Sequence, residues 1–227
     1  MPDTTASLAE RVADVRSRIA RASRGQENGA VELLAVVKTR TAQEVLAVAA
    51  LVDSIGDNRV QEAERRGARP DCPCRMIGHL QSNKVKKAAA LFDSIDSIDS
   101  TALALALNSA VTSPPMPVLI EVNTSGEASK TGVTPEAFPQ LLDCVLACGH
   151  LRLDGLMTIG PNSDERSVRA AFALLRRTAE DARQRSGLPL PVLSMGMSGD
   201  FEWAVMEGST RTRIGTAIFG PRTYHNV

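Results

Sequence analysis

Lys38 ends an aliphatic run, Val31-Glu32-Leu33-Leu34-Ala35-Val36-Val37-Lys38. Two later stretches are rich in small residues and hydroxyls: Ser194-Met195-Gly196-Met197-Ser198-Gly199-Asp200 and Arg213-Ile214-Gly215-Thr216. A primary amine held against an apolar wall can act as a nucleophile toward a carbonyl. Its ordinary pKa of ~10.4 leaves it neutral only about once in 2,500 molecules at pH 7. Desolvation by the aliphatic wall, or the positive charge of Arg213, would raise that fraction. Small residues let backbone amides approach an anion, and Ser198 is expected at a helix N-terminus. Amine and anion cup together suggest pyridoxal phosphate, carried as a lysine Schiff base and held by its phosphate.

The rest of the chain must bring these parts together. A continuous apolar run followed at once by a capping box, Thr41-Ala42-Gln43-Glu44, suits a strand buried on both faces, as in a parallel sheet. Lys38 then stands at the carboxyl end of the first strand, where barrels and open α/β sheets carry their chemistry. Further strands are expected near 54–56, 75–78, 93–98, 117–122, 151–157, 191–195 and 212–214. Helices are expected between them, near 42–51, 58–66 with Asn58 as cap, 83–91, 101–111 with Ser100 as cap, from Thr134-Pro135, and near 164–186 and 199–207. Before the first strand, Ser7-Leu8-Ala9-Glu10 opens a helix with Leu8, Val12, Val15 and Ile19 on one face, and Gln26-Glu27-Asn28-Gly29 ends it with turn chemistry.

Eight such units in 227 residues predict one domain over 1–227, a single (β/α)8 TIM barrel. Residues 1–30 would supply an extra N-terminal helix packed on it. An open doubly wound sheet is the alternative, but no Gly-x-Gly-x-x-Gly follows a strand. Gly215 to Gly220 also lacks the Gly-Lys-Ser/Thr ending of a nucleotide-binding loop.

With 26 basic and 26 acidic residues, no net field favours nucleic acid or a membrane surface. No apolar stretch reaches the ~20 residues of a membrane span, and the N-terminus lacks signal-peptide order. Cys72, Cys74, Cys144 and Cys148 have no metal-site spacing, so reduced thiols and a cytoplasmic location are expected, with no bound metal. His79 is a candidate to face the cavity. Lys130 reads as a mobile solvated lysine, with a second amine for free cofactor as the alternative. His150 and His225 read as surface residues. The run Asp93 to Ser100 reads as a weak strand with a helix cap and no chemistry.

Several segments together resemble one family. Leu34-Ala35-Val36-Val37-Lys38-Thr39, Ile55-Gly56-Asp57-Asn58-Arg59-Val60-Gln61-Glu62, Ile77-Gly78-His79-Leu80-Gln81-Ser82-Asn83-Lys84, Gly155-Leu156-Met157, Leu193 to Ser198 and Arg213 to Gly220 are similar, in register, to the YggS/PROSC-type pyridoxal phosphate homeostasis proteins. The resemblance implies the barrel of bacterial alanine racemase without that enzyme's second domain. It implies that Lys38 carries the cofactor, that Ser198, Gly215 and Thr216 hold its phosphate, that Arg213 faces the pyridine nitrogen, and that Asn58 lies near the ring. Met195 and Gly196 complete the candidate cofactor set, and no catalytic residue is assigned. Departures from the family pattern fall at Asp57, Arg59, Arg75-Met76 and Gly199.

The expected function is a non-enzymatic, monomeric protein that buffers or delivers pyridoxal phosphate, with apo-enzymes of that cofactor as the partners implied. An amino-acid racemase or decarboxylase on the same barrel is the rival. A Schiff-base aldolase acting through Lys38 on another phosphorylated metabolite is a third reading.

Overall fold

Eight parallel strands close on themselves in chain order in the computed structural model, which describes residues 7–24, 29–67, 69–127 and 129–220. Helix α1 (Leu8–Ala22) comes first, and then strands and helices alternate. The first half runs β1 (Glu32–Val36), α2 (Ala42–Ala49), β2 (Ser54–Asp57), α3 (Val60–Arg66), β3 (Cys74–Met76), α4 (Val85–Leu91), β4 (Ser94–Ile98) and α5 (Thr101–Ala110). The second runs β5 (Met116–Glu121), α6 (Phe138–Leu146), β6 (Leu151–Met157), α7 (Glu165–Ser186), β7 (Val192–Ser194), α8 (Phe201–Met206), β8 (Arg211–Ile214) and α9 (Thr216–Phe219). A 3-10 turn, Ser82–Lys84, leads into α4. The (β/α)8 barrel with an extra N-terminal helix is therefore the fold.

Closure pairs β1 with β8, Leu34 opposite Arg213, so the chain's first and last strands are neighbours. Along β1, Leu33, Ala35 and Val37 join the apolar layer between sheet and helices. The alternate residues Glu32, Leu34 and Val36 point the other way, into the barrel. Glu32 there meets a charged floor. Arg211 Nε donates to Glu32 Oε2 at 2.7 Å and its Nη1 to Asp96 Oδ2 at 2.8 Å. Arg75 Nε donates to Glu32 Oε1 at 3.1 Å and its Nη1 to Ser94 Oγ at 3.2 Å, while Ser94 Oγ donates to Asp96 at 2.7 Å. Two cations thus meet two carboxylates, as burial of charge requires. The strand expected at 93–98, weak by pattern, is β4 and is buried from Ser94 to Ile98, with Ser94 and Asp96 in this network and Ser97 Oγ donating to the Gly78 carbonyl.

Helix α1 packs on α8 and α9. Arg18 reaches Glu202 at 2.8 Å and lies over the Phe201 ring, and Arg11 Nε donates to the Ile218 carbonyl at 2.5 Å. Both capping boxes form, at Ser7/Glu10 and at Thr41/Glu44.

Three helix starts differ from expectation. Asn58 does not cap α3, whose N-cap position is Arg59, without a side-chain bond. Helix α6 begins at Phe138, and the Thr134 carbonyl accepts from the Ala137 and Phe138 amides in a preceding turn. Helix α8 begins at Phe201, so Ser198 lies ahead of it. The turn expected at Gln26 to Asn28, and His225, lie outside the described residues.

Candidate functional site

At the carboxyl ends of the strands a cavity of about 400 Å³ opens, lined among others by Val36, Lys38, Asn58, Ser198, Arg213, Gly215 and Thr216. It joins elements from both ends of the chain because β1 and β8 are neighbours. Lys38 lies two residues past the end of β1, at the start of the turn that follows it. The chain turns sharply after it: Thr39 has φ 64°, a left-handed conformation that costs a β-branched residue energy. Two bonds hold that turn, from the Thr39 amide to Glu62 Oε2 at 3.0 Å and from the Arg40 amide to the Val37 carbonyl at 3.1 Å.

Opposite, the loops after β7 and β8 meet. Ser198 Oγ accepts from the Gly215 amide at 3.2 Å and the Ala217 amide at 3.1 Å, at the start of α9. A hydroxyl therefore sits on amides that present positive hydrogens, the arrangement an anion uses. Barrels commonly build a phosphate site in this place.

Arg213 forms the buried side of the cavity. Its Nη1 donates to the Ser194 carbonyl at 2.7 Å and hydroxyl at 2.9 Å, and its Nη2 to the Thr158 carbonyl at 2.7 Å. Burial pushes this guanidinium below its ordinary value, while the carboxylates of Glu121, Asp96 and Asp200 act the other way. Asn58, at the end of β2, has a buried Oδ1 with no hydrogen-bond partner. Such an atom is costly unless something else donates to it.

Of the candidate cofactor residues, Lys38, Asn58, Ser198, Arg213, Gly215 and Thr216 share this cavity, and Met195 and Gly196 do not line it. Met195 is fully buried in the apolar core. Gly196 has φ 94°, and a Cβ there would come within 2.6 Å of Ala204 Cβ and 2.9 Å of Phe201 Cα. Its carbonyl accepts from the Arg213 amide at 2.9 Å. Both residues brace the β7 loop against α8 and β8.

His79 is turned away from the cavity, exposed, with Nδ1 against Asp99 Oδ2 at 2.8 Å. Lys130 is not a free solvated side chain: it is anchored on the Gly160 carbonyl at 2.8 Å and on Glu127 at 2.8 Å. Among the lining residues outside the candidate set, two form a pair at the mouth. Arg40 lies 4.7 Å over the Phe219 ring, and both reach the mouth beside α9. An aromatic platform for a cation needs a partner 179 positions away, which no local pattern shows.

Residues 11–223 match the family described as alanine racemase, N-terminal domain. A pyridoxal phosphate homeostasis protein of Pseudomonas aeruginosa is 42% identical over 96% of this chain and 97% of its own length. The chain belongs to the pyridoxal phosphate homeostasis protein family. A solved member, PipY of Synechococcus elongatus with pyridoxal phosphate bound, is 34% identical, with a TM-score of 0.82, 94% of this chain and 100% of that chain being covered. Alanine racemase of Clostridium difficile shares the fold alone, at 14% identity and a TM-score of 0.72 over 94% of this chain and 61% of its own.

Within this homeostasis-protein family, two of the departures have charged partners. Asp57 is paired with Arg66, and Arg75 serves the charged floor. Arg59 leaves the first cavity altogether and lines a second one. Among the described residues no helix is long and apolar enough to cross a membrane, no cluster of three or more potential ligands could hold a metal, and the four cysteines are free thiols.

Proposed function

We propose that this protein binds pyridoxal 5'-phosphate in the first cavity and buffers or delivers it, without substantial catalysis. The observation that carries this reading is that Lys38 and the edge formed by Ser198, Gly215 and Thr216 face one cavity of about 400 Å³. The family supports it, since members bear the homeostasis name and PipY is solved with this cofactor.

The residues fit the group. When bound, pyridoxal phosphate supplies an aldehyde that condenses with a primary amine to a Schiff base, and a phosphate anion. Lys38 would carry the aldehyde end. Ser198, Gly215 and Thr216 would hold the phosphate, with Arg40 adding positive charge at the mouth. Asn58 Oδ1, buried and unpartnered, would accept a hydrogen bond from the bound molecule. Arg213, fixed by Ser194 and Thr158, would keep a cation near the ring and oppose protonation of its nitrogen. A ring so held withdraws electrons poorly, which suits storage better than carbanion chemistry.

Catalysis of racemisation would need a proton donor on each side of the substrate carbon. Among the described lining residues the titratable groups are Lys38, Arg40 and Arg213, and arginine is not among the usual general acids and bases. His79, the strongest rival base, points elsewhere.

The test combines the visible spectrum with borohydride reduction and peptide mapping. A pyridoxyl mass on the Lys38 peptide, and loss of colour in Lys38→Ala, is the expected result. Label found only on Lys130 or Lys84 would sink the assignment. Incubation with L- and D-amino acids in deuterated water should show no exchange at the α-carbon. Exchange near the enzyme median of ~10 per second would make the protein a racemase instead.

A further inference from the structure

A second cavity, of about 620 Å³, lies beside the first and is lined by Arg59, Arg65, His79, Gln81 and Lys84. Asn58 lines both. The segment Ile77 to Lys84, one of the motifs that carry the family resemblance, contributes much of this second wall but nothing beyond Ile77 to the first. The proposed cofactor site therefore leaves the motif's polar residues without a task.

The charges in this cavity are unbalanced. Among the described residues, none of Arg59, Arg65 and Lys84 forms a salt bridge, although Lys84 is near enough to help lower the Glu64 carboxyl, which Lys87 holds. The lining carboxylate, Glu62, accepts at Oε2 from the Thr39 amide. His79 is occupied by Asp99. Three cations face one anion in a chain whose basic and acidic residues are equal in number. The excess is local, so total composition does not explain it. Concave walls with one sign of charge concentrate counter-ions. Guanidinium forks match the oxygens of phosphate and carboxylate groups, and the lysine adds a point charge.

Asn58 stands between the two cavities, and Gly78 packs against it so closely that a Cβ there would lie 2.4 Å from the Asn58 carbonyl oxygen.

We propose that the second cavity is a binding site for a small dianion, a phosphate monoester or a dicarboxylate, whose negative charge matches the lining excess. This inference does not rest on the pyridoxal phosphate reading. The cavity and its cations stand whatever the first cavity holds.

The probes are inorganic phosphate and succinate, titrated separately into the full chain while backbone amide shifts are followed. Saturable shifts at residues 59–65 and 78–84 are expected. Arg59→Ala and Lys84→Ala should each weaken binding by about tenfold or more, as loss of a charge-assisted bond does. Both side chains reach the surface, so both variants should fold, and amide spectra will show it. Thr216→Ala, in the other cavity, should leave these shifts unchanged. Tighter binding of phosphate would identify a phosphate monoester as the natural class, and tighter binding of succinate a dicarboxylate. The proposal is overturned by shifts confined to residues 198 and 215–219, by unchanged affinity in Arg59→Ala and Lys84→Ala, or by no saturation at ~10 mM probe. A failure of the cofactor reading would appear separately, as an absent pyridoxyl label on Lys38.

Discussion

Arg66 holds Asp57 through two parallel bonds, Nη1 to Oδ1 at 2.9 Å and Nη2 to Oδ2 at 2.8 Å, with both side chains nearly removed from solvent. The pair ties the last turn of α3 to the last residue of β2. Asn58 follows directly and depends on that anchor for its place between the two cavities. Removing one partner strands a buried charge, so Arg66→Ala should lose about 3–5 kcal/mol of stability. Urea unfolding measures this, and a loss below about 1 kcal/mol would show that the pair is dispensable.

The phosphate edge can be separated from the aldehyde end. Ser198→Ala and Thr216→Ala should each weaken pyridoxal phosphate binding about ten- to a hundredfold, the range for one hydrogen bond to a charged acceptor. Pyridoxal, which lacks the phosphate, should bind nearly as before. Equal losses for the two aldehydes would mean that the phosphate sits elsewhere.

Glu121 predicts a pH effect. Burial pushes its carboxyl above the ordinary 4.5, and the Thr131 hydroxyl, which donates to Oε1 at 2.6 Å, and Arg213 only partly oppose this. Its Oε2 has no partner. The folded state then keeps the proton that the unfolded chain releases above about pH 4.5, so this group reduces stability as pH rises toward neutrality. Glu121→Gln cannot titrate. Its stability relative to the parent should improve between pH 4 and pH 7, read from unfolding curves at both. A difference that stays constant with pH would contradict the argument.

Glu32 has the opposite sign. Burial alone would raise its carboxyl, but Arg211 and Arg75 beside it hold it below 4.5. Its contribution is therefore present above the unfolded value and is lost as pH falls through the folded one. Arg211→Met leaves Asp96 and Glu32 short of a partner and should cost about 3–5 kcal/mol at neutral pH. The variant should also lose less stability on acidification than the parent.

What the chain revealed unaided depends on short range. A capping box joins residues three apart, and Ser7/Glu10 and Thr41/Glu44 formed as read. Strand and helix periods repeat within a dozen residues, so the eight units, the barrel and the place of Lys38 at a strand end were legible. Tertiary structure decided what depends on closure. Asn58 reads locally as a helix cap, yet the N-cap position of α3 is Arg59, and Asn58 lines the barrel mouth, with Gly78 after β3 packed against its backbone. Met195 and Gly196 share a loop with Ser198, but the packing of α8 turns them into the core. Lys130 reads as solvated because its acceptor, the Gly160 carbonyl, is 30 residues away. The floor pairs Arg211 with Asp96 across 115 positions, and Arg40 meets Phe219 only where the first strand lies against the last. No window of sequence contains both members of such pairs. They become neighbours when β8 returns to β1, and burial then decides which polar groups must find each other.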